Sequence, residues 1–227
     1  MQLTWYGHSN FRFEQDGVTL LVDPFFDGNP KATIKHDAVG RLDAVLLTHD
    51  HGDHVGQAVE ICTAQRIPLV GVYDTLNSLI AKGLPPELTV GMNIGGTVTV
   101  AGTRIHMVQA MHSSATGAAT GFIITFPNGF CAYHSGDTGL FASMQLFSVF
   151  HEIHLALLPI GGHFTMDPRQ AAYACKMLGC RKVVPMHWGT FPILEQGTDD
   201  FAAQLKNTAP DTQLLHIAPG ETISVNS

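Results

Sequence analysis

Residues 44–54 constrain this chain more than any other stretch. Ala44-Val45-Leu46-Leu47 is a continuous apolar run, the pattern of a strand buried on both faces. It passes without a spacer into Thr48-His49-Asp50-His51-Gly52-Asp53-His54. A buried strand followed at once by such a run delivers its imidazoles and carboxylates to the edge of a core. His49 and His51 alternate, so extended backbone puts them on one face. Gly52 permits a tight bend that would carry Asp53 and His54 round to a second centre. Three imidazoles with the Asp53 carboxylate suit Zn²⁺, Mn²⁺, Fe²⁺ or Ni²⁺ better than Ca²⁺ or Mg²⁺. One histidine in a polar loop would mean little; this spacing predicts metal binding.

The flanking sequence predicts an α/β chain. Residues 3–6, 11–14 and 19–22 read as short strands, with Gln15-Asp16-Gly17 turning between the last two. A polar loop follows over 27–41. Beyond the histidine run, 55–65 reads as a helix, 68–71 as a strand, and Asp74 as the cap of a helix through Lys82. Short strands resume at 97–100, 104–109, 121–126 and 130–133, with Pro127-Asn128-Gly129 as a turn. Then come a strand at 154–158, a helix from Asp167-Pro168 to Leu178, a strand at 182–184, a helix capped by Thr198, and strands at 213–216 and 222–225. Each half runs from strands into α/β units, which hints at a structural duplication without a sequence repeat. No linker-like or low-complexity segment divides the chain, so 1–227 reads as one domain.

Composition narrows the partners. The formal net charge is −7 and no Lys/Arg cluster is visible, which argues against nucleic acid. No apolar run is long enough to span a bilayer, and the N-terminal segment has no secretory pattern. The four cysteines form no C-x-x-C pair, so free thiols in a reducing cytoplasm are expected. The expected partner is a small-molecule substrate.

The run His49-x-His51-x-Asp53-His54 resembles the H-x-H-x-D-H signature of the metallo-β-lactamase fold superfamily. The later signature positions are filled in order: His112 after the strand ending near Gln109, Gly136-Asp137-Thr138 after the strand at 130–133, and His187 in Val183-Val184-Pro185-Met186-His187-Trp188-Gly189. The resemblance implies a four-layer αββα sandwich. It implies that His49, His51 and His112 bind one metal, that Asp53, His54 and His187 bind another, and that Asp137 bridges both. Trp5-Tyr6-Gly7-His8-Ser9, Leu21-Val22-Asp23-Pro24, His134-Ser135-Gly136-Asp137-Thr138 and Phe164-Thr165-Met166-Asp167-Pro168 look like a branch of small bacterial and archaeal metal-dependent hydrolases. That branch is similar to the ascorbate-6-phosphate lactonases and, more distantly, to phospholipase-D-like phosphodiesterases.

Carried over, the resemblance implies hydrolysis by a water or hydroxide bridging two divalent ions, Zn²⁺ first among them, with Mn²⁺, Ni²⁺ or Fe²⁺ as alternatives. Asp53 would orient or accept the nucleophile's proton, and His8 or His163 would protonate the leaving group. Asp23 would hold a ligand imidazole in its tautomer. His36, His106, His134, His151, His154 and His216 match no ligand position and read as surface or packing residues. A lactone or other carboxylic ester is the first expected substrate. A phosphodiester is the alternative, and a non-catalytic metal-binding or sensing module is the alternative of another class. The related lactonases imply a homo-oligomer.

Overall fold

The computed structural model describes residues 1–226. Among the described residues fourteen strands form two sheets of seven. The first sheet contains β1 (Gln2–Trp5), β2 (Phe11–Gln15), β3 (Val18–Val22), β4 (Ala44–Leu46), β5 (Leu69–Val72) and β6 (Thr89–Met92) in chain order, with β14 (Thr222–Ser224) beside β1. The second sheet contains β7 (Thr97–Val100), β8 (Thr103–Gln109), β9 (Thr120–Thr125), β10 (Cys131–His134), β11 (Leu155–Pro159), β12 (Lys182–Met186) and β13 (Gln213–Leu214), also in chain order. β1, β2 and β3 pair antiparallel, then β3 to β6 pair parallel. β8, β9 and β10 pair antiparallel, then β10 to β13 pair parallel. The duplication hinted at by the sequence is therefore present as a repeated strand pattern.

Side-chain alternation explains the layering. Leu20 and Val22 of β3, Phe122 and Ile124 of β9, and Leu155 and Leu157 of β11 meet in one core between the sheets. The residues between them point outward. Leu21 joins Val45 and Leu47 under α2 (Ala58–Gln65) and α3 (Tyr73–Ile80). Ile123, Ala156 and Leu158 pack under α5 (Pro168–Leu178) and α6 (Asp199–Thr208). The result is the four-layer αββα sandwich. Among the described residues no helix is long and apolar enough to cross a membrane.

Three local expectations change. The helix expected over 55–65 is two helices, a single turn α1 (Gly52–Val55) and then α2. They part at Gly56, where φ is 41° and an added Cβ would stand 2.2 Å from the Pro24 carbonyl oxygen. Asp74 lies in the first turn of α3, but the cap position is Val72, because the helix starts directly from the end of β5. Thr198 occupies the cap of α6 without a side-chain hydrogen bond, whereas Asp167 accepts from Gln170 N at the start of α5. Between β10 and β11 lies a further single turn, α4 (Phe147–Phe150).

Candidate metal centre

The expected ligands sit on the loops that leave β4, β8, β10 and β12. Within each sheet these strands point the same way, so their C-terminal ends share an edge. The sheets are tied at this edge, where Thr120 donates from both its N–H and its hydroxyl to Thr48 O, at 3.1 and 2.8 Å. Thr48 is fixed in turn by Asp23: its N–H donates to Oδ1 at 2.9 Å and its hydroxyl to Oδ2 at 2.7 Å. His51 keeps extended backbone as the cap of α1, and α1 itself carries Asp53 and His54 round. The bend is thus a helical turn. Gly52 has no positive φ, and a Cβ there would meet nothing within 4 Å.

This edge gathers His49, His51 and His112 into one group, and Asp53, His54 and His187 with His8 into a second. A third set, His49, His54 and Asp137, overlaps both. Within each group the potential donor atoms lie within 4.8 Å of one another. Asp137 Oδ2 is 3.0 Å from His187 Nε2, 3.3 Å from His54 Nε2 and 3.7 Å from His112 Nε2, so one carboxylate oxygen faces imidazoles of both groups. His49 Nε2 and His112 Nε2 both approach His51 Nδ1, at 3.0 and 3.3 Å.

The donor set fits a cation. Asp137 Oδ1 and His54 Nε2 are buried without a hydrogen-bond partner; the contact of His54 with Asp137 Oδ2 is close but poorly aligned. Orphaned buried polar atoms are costly unless something else satisfies them. Burial pushes the His49 imidazole down to about 2, helped by the charge on His54, and burial also lowers His112; both are neutral donors. Burial works against a charged His54, but the Asp137 and Asp23 carboxylates outweigh it and hold its pKa well above the ordinary value. Burial would likewise raise Asp137 and Asp53, yet neighbouring imidazoles hold both below the carboxylate range. Neutral imidazoles and ionised carboxylates are the forms that bind metal, and an ion would displace the proton from His54.

Asp23, expected to hold a ligand imidazole, lies against His54: Oδ2 is 2.7 Å from His54 Nδ1, and both residues are fully buried. His8 is buried with φ at 56°. Its Nε2 lies 3.1 Å from Asp53 Oδ2 and its Nδ1 3.0 Å from Thr190 Oγ1. Burial lowers its pKa to about 4. The structure does not bring His163 into this cluster. His163 is exposed and set edge-on against Phe164, with ring centroids 4.5 Å apart. Gly161 lies so close to His187 that a Cβ would stand 2.3 Å from its carbonyl oxygen, and Gly162 then turns the chain at φ 81°. Phe164, not His163, reaches the cavity over the centre, which measures about 420 Å³. Apart from candidate ligands its wall consists of Gly52, Ser113 and Phe164.

Sequence reasoning missed two supports. Asp50, one position from both His49 and His51, accepts from Ser114, Ala115 and Thr116 and so ties the histidine run to the loop of His112. Its only trace in the sequence is the donor-rich Ser113-Ser114-Ala115-Thr116. His134, read as a surface or packing residue, is buried and braces two loops: its Nε2 lies 3.0 Å from Ser9 O, and its Nδ1 accepts from Gly136 N.

Residues 19–188 match the Beta-lactamase superfamily domain family. The chain is 55% identical, over 99% of its length and 95% of the relative's, to a UPF0173 metal-dependent hydrolase of Nitratidesulfovibrio vulgaris. It is 41% identical to a UPF0173 metal-dependent hydrolase of Pyrobaculum islandicum, over 99% of this chain and the whole of that one. Among solved structures it is similar to Igni18, described as a novel metallo hydrolase from the archaeon Ignicoccus hospitalis. That likeness has a TM-score of 0.89 and 38% identity, and it covers 98% of this chain and 97% of that one. The chain thus belongs to the metallo-β-lactamase superfamily and, within it, to the UPF0173 metal-dependent hydrolases.

Proposed function

We propose that this metal-dependent hydrolase cleaves a carboxylic ester or lactone at a two-ion centre. His49, His51 and His112 would hold one ion, Asp53, His54 and His187 the other, with Asp137 between them and Zn²⁺ as the first candidate. The observation that carries this reading is the Asp137 carboxylate: Oδ2 faces histidines of both groups, while Oδ1 is buried and unpartnered. Divalent ions bound there would supply a nucleophilic water near neutral pH and stabilise negative charge on the substrate oxygen.

The chain's own residues handle protons and position. Asp53 Oδ2 accepts the nucleophile's proton, and His8 Nε2, 3.1 Å away, is the group placed to exchange a proton with it. Thr190 fixes the His8 ring from the other side. We assign leaving-group protonation to His8 rather than His163, because only His8 touches the donor cluster. Asp23 keeps His54 oriented. The cavity over the donors favours catalysis over a metal-sensing role, since purely structural sites are closed by their ligands.

The test is metal analysis after equilibration with Zn²⁺, Mn²⁺ or Ni²⁺, followed by turnover of lactones, p-nitrophenyl esters and bis-(p-nitrophenyl) phosphate with and without chelator. Two ions per chain and chelator-sensitive ester turnover are expected. Less than one ion per chain sinks the two-ion centre, and turnover of the phosphodiester alone overturns the ester assignment.

A further inference from the structure

We infer that the substrate of this centre is an uncharged ester with an apolar substituent, and that Phe164 is the residue that recognises it; the inference rests on the ester reading above. The first ground is what the cavity wall lacks. Its two carboxylates, Asp53 and Asp137, are candidate ligands, and no lysine or arginine lines it. Lys31, whose ammonium lies against Gly189, stays outside the wall. A phosphorylated or carboxylated substrate carries charge beyond the reacting group and is ordinarily met by a guanidinium or ammonium. This wall offers such a charge no partner.

The second ground is what the wall presents instead. Phe164 is 57% exposed, although a phenylalanine side chain gains by leaving water. Its loop is anchored rather than free: Gly162 N donates to Met166 O, and Glu195 N donates to Gly161 O, each at 3.1 Å. His163 lies edge-on against its ring. The neighbouring segment that begins at Thr190 continues the apolar character. Phe191 packs 5.5 Å from the His8 ring, and Ile193 is 56% exposed. A held, wetted aromatic ring at the mouth of a small cavity without cationic groups fits an apolar acyl or alcohol group laid against it.

The experiment has an activity arm and a binding arm. In the first, the metal-loaded enzyme is given p-nitrophenyl acetate, butyrate, hexanoate and the mono-succinate. Each added methylene that reaches Phe164 should raise kcat/KM roughly three- to fourfold, mostly through KM, and the succinate should be the poorest. Phe164→Ser should flatten that series and Phe164→Leu should restore most of it. The second arm measures the uncharged fluorophore N-phenyl-1-naphthylamine on metal-free protein, with weaker binding expected for Phe164→Ser than for wild type. If esters turn over but chain length and Phe164→Ser have no effect, or if the succinate is preferred, the inference is overturned while the ester reading stands. If no ester turns over, the ester reading fails, and the fluorophore decides: equal binding by both proteins overturns apolar recognition as well.

Discussion

Asp50→Ala tests how the histidine run is held to the loop of His112. Asp50 Oδ1 accepts from Ser114 Oγ at 2.9 Å and Ala115 N at 2.8 Å, while Oδ2 accepts from Thr116 N at 2.7 Å and Thr116 Oγ1 at 2.5 Å. Burial would raise this carboxyl's pKa, but these bonds together bring it below the ordinary value, so it accepts as the anion. Hydrogen bonds to a charged group contribute about 1.5–3 kcal/mol each when buried. Asp50 is only half-buried and water replaces part of what is lost, so about 2–3 kcal/mol in total is the reasonable loss. That loss divides in one of two ways. A loop that stays ordered lowers the melting temperature of the metal-free protein by roughly 4–12 °C, at about 2–4 °C per kcal/mol for a chain of this size. A loop that comes free spares the melting temperature but must be re-ordered when an ion binds, which weakens that ion by roughly 30- to 150-fold. Asp50→Asn should show about half the effect, because its amide offers one acceptor and sets an NH₂ against donors on the other side. The assays are thermal melting of metal-free protein and competition against a chromophoric chelator. An Asp50→Ala protein with unchanged melting temperature and wild-type metal affinity would refute the clamp.

Three further outcomes are expected. Asp23→Ala removes the acceptor for the buried Thr48 N–H, the Thr48 hydroxyl and His54 Nδ1. It should cost about 3–5 kcal/mol in urea unfolding of metal-free protein and deplete the ion proposed for Asp53, His54 and His187, as metal analysis of the re-equilibrated variant would show. Gly56→Ala should lower the urea midpoint by an amount equal to about 2–4 kcal/mol, since backbone and not a flexible side chain stands 2.2 Å from the new Cβ; Gly52→Ala, with nothing within 4 Å, should leave it unchanged. Burial pushes the thiols of Cys62 up to about 12 and Cys131 up to about 11, from an ordinary 9.0. A pKa raised by folding stabilises the fold below the unfolded value and ceases to do so as pH climbs through the folded one. Stability should therefore fall from pH 9 toward 11–12, and Ellman's reagent at pH 8 should miss both thiols until guanidinium exposes all four cysteines.

What could be read from the sequence divides along a physical line. β3, β9 and β11 are readable as apolar runs because each strand lies between two apolar layers, and Asp167-Pro168 is readable because a helix cap is decided within four residues. The histidine run is readable for the same reason, since its members are chain neighbours. His112, Asp137 and His187 are individually anonymous, and only a family signature ties them to that run before the fold brings them together. The unread features have partners far along the chain. Gly56 splits the expected helix because of Pro24, more than thirty residues earlier, and Asp50 finds its donors more than sixty residues later. Phe164 rather than His163 lines the cavity, on a loop whose Gly161 rests on His187. The candidate ligands follow strand ends on the loops and the single helical turn α1 directly after them, and strand ends follow from a local pattern. The cavity wall is made by the loops beyond them, whose course is set by distant backbone. A sequence of this kind therefore announces how water could be activated well before it announces which substrate is admitted, and the residue for testing substrate choice is Phe164 rather than any of the histidines.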